Sequence, residues 1–263
     1  MTGPGSRPID YEAGYRIRFD EAGPDGLLRT SGLLRYTQDL AARHSEALGY
    51  DRAWYRARGL TWLVRTAELD IRAAIPYGSD VLGTTRVVGF RRVWSRREST
   101  FQVGSELSAA VRIDWVLLDE RGTPTRIPQE FEVFFAGSEP TAGLQLGRVA
   151  LGAPPAGAAV RTFDVRPQEL DPLDHVNNAV YADWLDEAVL LAGEDGGPTV
   201  RGLPRRVRLE YAQAAEPGER LETVTWQDEG GWSCRVRRTS DQTDLLRARL
   251  EPSSPTGRGG ELL

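Results

Sequence analysis

Polar and apolar residues change period along the chain, and the order of those changes repeats. Tyr15 to Asp20 alternates with the period of two expected of a strand. GPDG at 23–26 reads as a turn. Thr30 or Ser31 then caps a helix that runs to Leu48 and stops at Gly49. Leu33, Leu34, Leu40 and Ala41 give that helix an apolar stripe. A second, short helix is expected at 51–58. Strand-like runs follow near 61–73, 80–91, 94–103, 109–119 and 130–135, with ERGT at 120–123 as a hairpin turn. From residue 162 the order starts again. A short strand at Thr162 to Arg166 leads into the loop at 169–178, then a helix from about Asn178 to Ala192. Val180, Tyr181, Trp184, Leu185, Ala188 and Val189 form its wide buried face. Strands are expected near 201–212, 219–226, 232–238 and 244–250. In the first of these Val207, Leu209 and Tyr211 alternate with Arg206, Arg208 and Glu210.

The repeat implies an internal duplication, with the halves offset by about 147 residues. Each half predicts an antiparallel sheet wrapped around one long helix. The expected class is therefore α+β, a tandem (double) hot-dog whose two copies mimic a dimer of single hot-dogs. The domain plan is a disordered leader at 1–14, an N-terminal hot-dog at 15–136, a linker at 137–161, a C-terminal hot-dog at 162–250 and a disordered tail at 251–263. The linker is assigned from its Gly, Ala and Pro content, and the tail from its Ser, Pro and Gly. The chain is expected to be a monomeric pseudo-dimer or a homodimer.

Composition narrows the function. A net charge of -5 over 263 residues argues against a general nucleic-acid binder. No stretch of apolar residues is long enough to span a membrane, and the first residues lack the basic-then-apolar order of a signal peptide. The single cysteine excludes an intrachain disulfide and fits a reducing cytoplasm. Two distant histidines, His44 and His175, with one cysteine predict no metal site, and no cofactor is expected. All basic residues are arginine, which reads as the codon bias of a GC-rich bacterial genome.

The most informative segment is DPLDHVNN at 171–178, followed by Tyr181 and Trp184. It resembles the acyl-acyl-carrier-protein thioesterases of plants and bacteria, whose second hot-dog carries Asp-x-Asn-x-His-x-Asn-Asn-x-x-Tyr-x-x-Trp at the start of its helix. Residues 45–71, 115–128 and 207–215 add to the resemblance. It implies hydrolysis of a fatty-acyl or related thioester on acyl carrier protein, or on CoA, to free acid and thiol. Asp171 and His175 are then the catalytic candidates, since a carboxylate beside an imidazole suits acid–base work. Asn177 and Asn178 stand at a helix start, where backbone N–H groups form an oxyanion or substrate-binding site. Two positions depart from the pattern: Leu173 stands for the family's Asn, and Ala214 for its second-strand acid. Asp174, Gln213 and Glu216 are the candidates to replace that acid.

Trp62, Trp94 and Trp115 are acyl-pocket candidates as well as core candidates. His44 and Cys234 read as core. Arg91, Arg92, Arg96 and Arg97, and separately Arg235, Arg237 and Arg238, read as solvated strand faces or as a docking surface for an acidic carrier protein. Two other functions compete: a non-hydrolytic acyl-thioester-binding hot-dog protein, and a hot-dog dehydratase.

Overall fold

The computed structural model describes residues 10–134, 144–228 and 230–253. Its first half contains β1 (Asp10–Arg16), α1 (Thr30–Ala47), α2 (Arg52–Ala57), β2 (Thr61–Ile71), β3 (Asp80–Arg91), β4 (Trp94–Val103), β5 (Glu106–Leu118) and α3 (Gln129–Phe134). The second contains β6 (Ala159–Asp164), α4 (Val180–Leu190), α5 (Gly196–Arg201), β7 (Arg205–Tyr211), β8 (Arg220–Asp228), β9 (Gly231–Arg238) and β10 (Asp244–Pro252). The strands form one ten-stranded antiparallel sheet in the order β1-β3-β4-β5-β2-β7-β10-β9-β8-β6. This is the double hot-dog. The halves meet at β2 and β7, where Leu69 lies opposite Val207 and Ala67 opposite Leu209. All four are buried, and a single core cluster runs through both halves. Fusion at β2 and β7 thus removes two sheet edges that separate halves would expose.

The duplication is legible in hydrogen bonds. Glu21 and Glu169 stand 148 residues apart, each in a short 3-10 turn before its long helix. Glu21 accepts from the Arg18 amide and guanidinium at 2.8 Å each, and also from the Tyr36 hydroxyl. Glu169 accepts from the Arg166 amide at 2.8 Å, its guanidinium at 2.6 Å, and Trp184 Nε1 at 3.1 Å. Tyr36 and Trp184 are again 148 apart. So are Arg35 and Asp183, and these two pair with each other at 3.2 Å where α1 and α4 approach.

Several boundaries differ from the sequence reading. The first strand is Asp10–Arg16 and not 15–20: Asp10 to Arg16 pair with β3 along their whole length, and Phe19–Glu21 form a 3-10 turn. Residues 1–9 of the expected leader lie outside the described residues. β10 runs into the expected tail, with Glu251 and Pro252 paired to Arg206 and Arg205, while 254–263 lie outside the described residues. The run at 130–135 is not a strand: α3 covers Gln129–Phe134. A short continuous apolar run does not distinguish strand from helix, and packing decides here. Phe131 joins Leu48, Tyr50, Leu117 and Ile127 in a second cluster, against Trp54, Tyr55 and Trp62. The expected second-half strand at 162–166 is β6, which starts inside the expected linker, at Ala159. The linker's residues 144–153 are pinned to the sheet: the Gly147 amide donates to Asp114 Oδ2 and the Val149 amide to Glu210 Oε2, both at 2.9 Å.

Candidate active site

The loop between the second 3-10 turn and α4 is folded by its own short-range chemistry. The Asp171 amide donates to the His175 carbonyl at 2.8 Å, and the Asp174 amide to the Asp171 carbonyl at 2.9 Å. Asp171 Oδ1 accepts the Leu173 amide at 2.8 Å, an Asx turn. Asp174 takes φ +60, a conformation that Asp tolerates better than most residues. The first half repeats the loop with Gly26 at φ +75, and with the Gly23 amide on the Leu27 carbonyl at 2.8 Å. At the same 148-residue spacing, Asp171, His175 and Asn177 replace Gly23, Leu27 and Arg29. The Asp171, His175 and Asn177 set therefore stands in only one of two like loops, while the other keeps an Asx-type bond from the Leu27 amide to Asp25 Oδ1 at 3.1 Å.

Asn177 ties the halves together. Its Oδ1 accepts the Ala179 amide at 2.9 Å, and its Nδ2 donates to Gln38 Oε1 on α1 at 3.4 Å. The Asn177 amide is taken by the Glu169 carbonyl at 2.9 Å and the Val180 amide by the Asn177 carbonyl at 2.9 Å. Within 177–180, this leaves the Asn178 amide as the one N–H without a partner among the described residues. The Asn178 carbonyl accepts the Tyr211 hydroxyl at 2.9 Å. Burial raises the pKa of Tyr211, and raises that of Tyr181 to about 12, so both phenols remain donors at neutral pH.

Asp171, Leu173 and Asn177 form one wall of an open cleft of about 610 Å³. Its other wall comes from the first half, from the end of α1, α2 and the start of β2. The cleft shares Ala42, Ser45, Tyr50, Tyr55 and Trp62 with an inner cavity of about 220 Å³ that reaches Trp115 and Arg97. Along the shared wall Trp62 Nε1 donates to the Tyr55 hydroxyl at 3.1 Å, and Tyr55 and Ser45 share a hydrogen bond of 3.0 Å.

The other sequence candidates fall as follows. His175 is exposed on the outer side of the loop and lines neither space, although its carbonyl is bonded to Asp171. Asp174 and Glu216 are exposed and do not line the cleft. Ala214 does not continue the alternation of β7: the strand ends at Tyr211, and the Ala212 and Gln213 amides both turn to the Leu245 carbonyl. Ala214 and Gln213 are consequently exposed and outside the cleft. Trp62 and Trp115 line the inner cavity, whereas Trp94 does not. Trp94 pairs with Val116, one position out of step with Ser95 and Trp115, and its ring carries the Arg96 guanidinium at 5.5 Å. Alternation thus sends Trp94 to the opposite sheet face. Cys234 is wholly buried, and burial pushes its thiol up to about 11, as expected of core. Gln38, Tyr55 and Ser45 were not singled out from sequence.

The family model for the acyl-ACP thioesterase N-terminal domain matches residues 8–134, and that for the C-terminal domain matches 153–251. The chain belongs to the acyl-ACP thioesterase family. The reaction of this thioesterase is hydrolysis of an acyl thioester. An uncharacterised protein of Mycobacterium tuberculosis is 26% identical over 220 residues, covering 80% of each chain. A palmitoyl-acyl carrier protein thioesterase of Arabidopsis thaliana is 22% identical over 273 residues, covering 94% of this chain and 64% of that protein. Among solved structures, the 12:0-ACP thioesterase from Umbellularia californica superposes with TM-score 0.74 at 18% identity, over 93% of this chain and 97% of that one. An acyl-ACP thioesterase from Bacteroides thetaiotaomicron gives TM-score 0.74 at 13% identity, over 92% and 97%. The structural matches share the double hot-dog fold of this thioesterase. No helix among the described residues is long and apolar enough to cross a membrane.

Proposed function

We propose that the thioester is presented on the phosphopantetheine arm of an acyl carrier protein, with CoA as the other carrier of the same arm, and that Asp171 activates the attacking water. The observation that carries this reading is the joint position of Asp171 and Asn177 on the wall of a cleft that shares five lining residues with an inner, mostly apolar-lined cavity of about 220 Å³ in the other half. The carboxylate of Asp171 takes a proton from water as the oxygen attacks the thioester carbon. The carbonyl oxygen, turning negative, is met by the second N–H of Asn177 Nδ2, whose first is held by Gln38; Asn178 does not line the cleft, so its free amide is assigned no contact. Collapse breaks the C–S bond, and the proton passes to the sulfur, giving free acid and thiol. His175, exposed on the same loop, is assigned the role of proton carrier to the solvent. The acyl chain lies along Trp62 and Trp115.

Release of free thiol from acyl-carrier-protein and acyl-CoA substrates tests the reading. Asp171→Asn should lower kcat by about 100- to 10,000-fold, the usual cost of losing an acid–base group. His175→Ala should also lose activity, by a smaller factor, because its ring lies outside the cleft. Binding of acyl thioesters without any thiol release would instead make the chain an acyl-thioester binder. Full turnover by a folded Asp171→Asn protein would remove Asp171 from the mechanism.

A further inference from the structure

Arg97 is an unusual residue for the wall of an acyl cavity. It is 9% exposed and projects from β4 toward the helix side of the sheet, where it lines the inner cavity with Val87, Ser95 and Trp115. The matching face of β9 in the second half carries Trp232, Cys234 and Val236, all buried and apolar. Arginines on the opposite sheet face have carboxylates: Arg96 meets Asp114 at 2.6 Å, Arg112 meets Glu98 at 3.0 Å, and Arg235 meets Asp244 at 3.2 Å. No carboxylate of the described residues lies within 4.0 Å of the Arg97 guanidinium. Among the described residues its hydrogen bonds run from Nη1, to His44 Nδ1 at 2.8 Å and Thr85 Oγ1 at 3.5 Å. A guanidinium has five N–H donors, so most of its capacity is unspent. Trp115 Nε1, on the same cavity wall, is also buried without a partner among the described residues.

Plain alkyl chain is a poor filling for such a space. A buried cation and a buried donor are costly unless something accepts from them. Burial pushes the Arg97 guanidinium down to about 10, which still leaves it charged at neutral pH. Arg97 and Trp115 line the inner cavity and not the outer cleft, so they are remote from the thioester end.

We infer that the acyl group accepted here carries an acceptor oxygen on the part of the chain that enters the inner cavity, as a hydroxyl, keto or terminal carboxylate group, and that Arg97 selects for it. This inference rests on the thioesterase reading and deepens it. The test is a matched series of medium-length acyl thioesters on one carrier protein: unsubstituted, hydroxylated in the distal half of the chain, and carboxylated at the far end. At least one oxygenated series should exceed the plain chain by about 100-fold or more in kcat/KM, since a site built to hydrogen-bond an oxygen discriminates strongly against its absence. A preference for the carboxylate over the hydroxyl identifies an anion as the group read, and the reverse identifies a neutral acceptor. Arg97→Lys should keep the preference, and Arg97→Met should abolish it, bringing the ratio of oxygenated to plain kcat/KM down to about one. If Arg97→Met does not fold, the wild-type series and Arg97→Lys still decide. Plain chains cleaved as well as, or better than, oxygenated ones overturn the inference and leave the thioesterase reading standing. No cleavage of any thioester overturns that reading. In that case quenching of tryptophan fluorescence by the free acids, plain against oxygenated, still judges the role of Arg97.

Discussion

Ala214 shows how a single residue is placed by its strand rather than by its motif. The family's acid position falls on it, and extrapolating the alternation of Val207, Leu209 and Tyr211 puts it on the sheet face opposite theirs. The chain leaves the ladder at Tyr211, so the extrapolation fails three residues later. Ala214→Glu should therefore leave turnover as in wild type and shift stability by no more than about 0.5 kcal/mol, as exposed substitutions do. A changed rate in the folded variant would show that residues 212–216 approach the cleft. The loop that carries Asp171 and Asn177 stood out because its spacing, helix start and flanking aromatics fit one pattern, and the structure sets both residues on the cleft wall. Gln38, Tyr55 and Arg97 were not. Gln38 meets Asn177 across 139 residues, and neither a Gln on a helix nor an Arg in a strand differs in sequence from a solvated surface residue. Only the pairing of β4 with β3 and β5, and the seat of α1, turn Arg97 inward.

Elements with their own periodicity were readable to within a few residues: α1, expected to be capped by Thr30 or Ser31 and to run to Leu48, spans Thr30–Ala47 with Arg29 at the cap and no side-chain cap bond, and β3 and β4 lie where alternation put them. The misses share a cause. α3, the start of β1 and the pinned part of the linker are all decided by partners distant in sequence. The segment at 144–153 has no periodicity, yet Asp114 holds it. That carboxylate is 1% exposed and accepts from Arg96 at 2.6 and 2.8 Å, Thr66 at 3.0 Å and the Gly147 amide at 2.9 Å. Asp114→Ala should lower stability by about 3–5 kcal/mol, because it strands the Arg96 guanidinium as well as freeing the segment. Denaturant unfolding measures the loss, and faster proteolysis near residue 147 in the native state would locate it. A loss under about 1 kcal/mol would mean that water replaces the carboxylate.

At the scale of the whole molecule, the pseudo-twofold produces a second cleft of about 380 Å³ beside the first-half loop. There Asp186 on α4 lies near Thr30 and Arg205, and burial raises its carboxyl to about 7, with Arg205 opposing the shift. The unfolded chain ionises this group near the ordinary aspartate value of 3.8, well before the folded one does. Its contribution to stability is therefore complete below about 3.8 and is lost as the pH rises to about 7, with a slope of up to about 1.4 kcal/mol per pH unit. Asp186→Asn should flatten that part of the stability curve and stabilise the protein above neutrality. Thermal unfolding from pH 4 to 8 checks this, and parallel curves for variant and wild type would place the carboxyl in water. The same axis also runs close to Arg35 and Asp183. As a partly exposed pair they add under about 1 kcal/mol, but their identities say something about history. In a dimer of identical subunits each position near the axis faces itself, so opposite charges there are unattainable. Joining the copies in one chain lifted that constraint. The chain is a heterodimer that cannot separate, in which one partner is free to shape a chamber while the other carries Asp171 and Asn177.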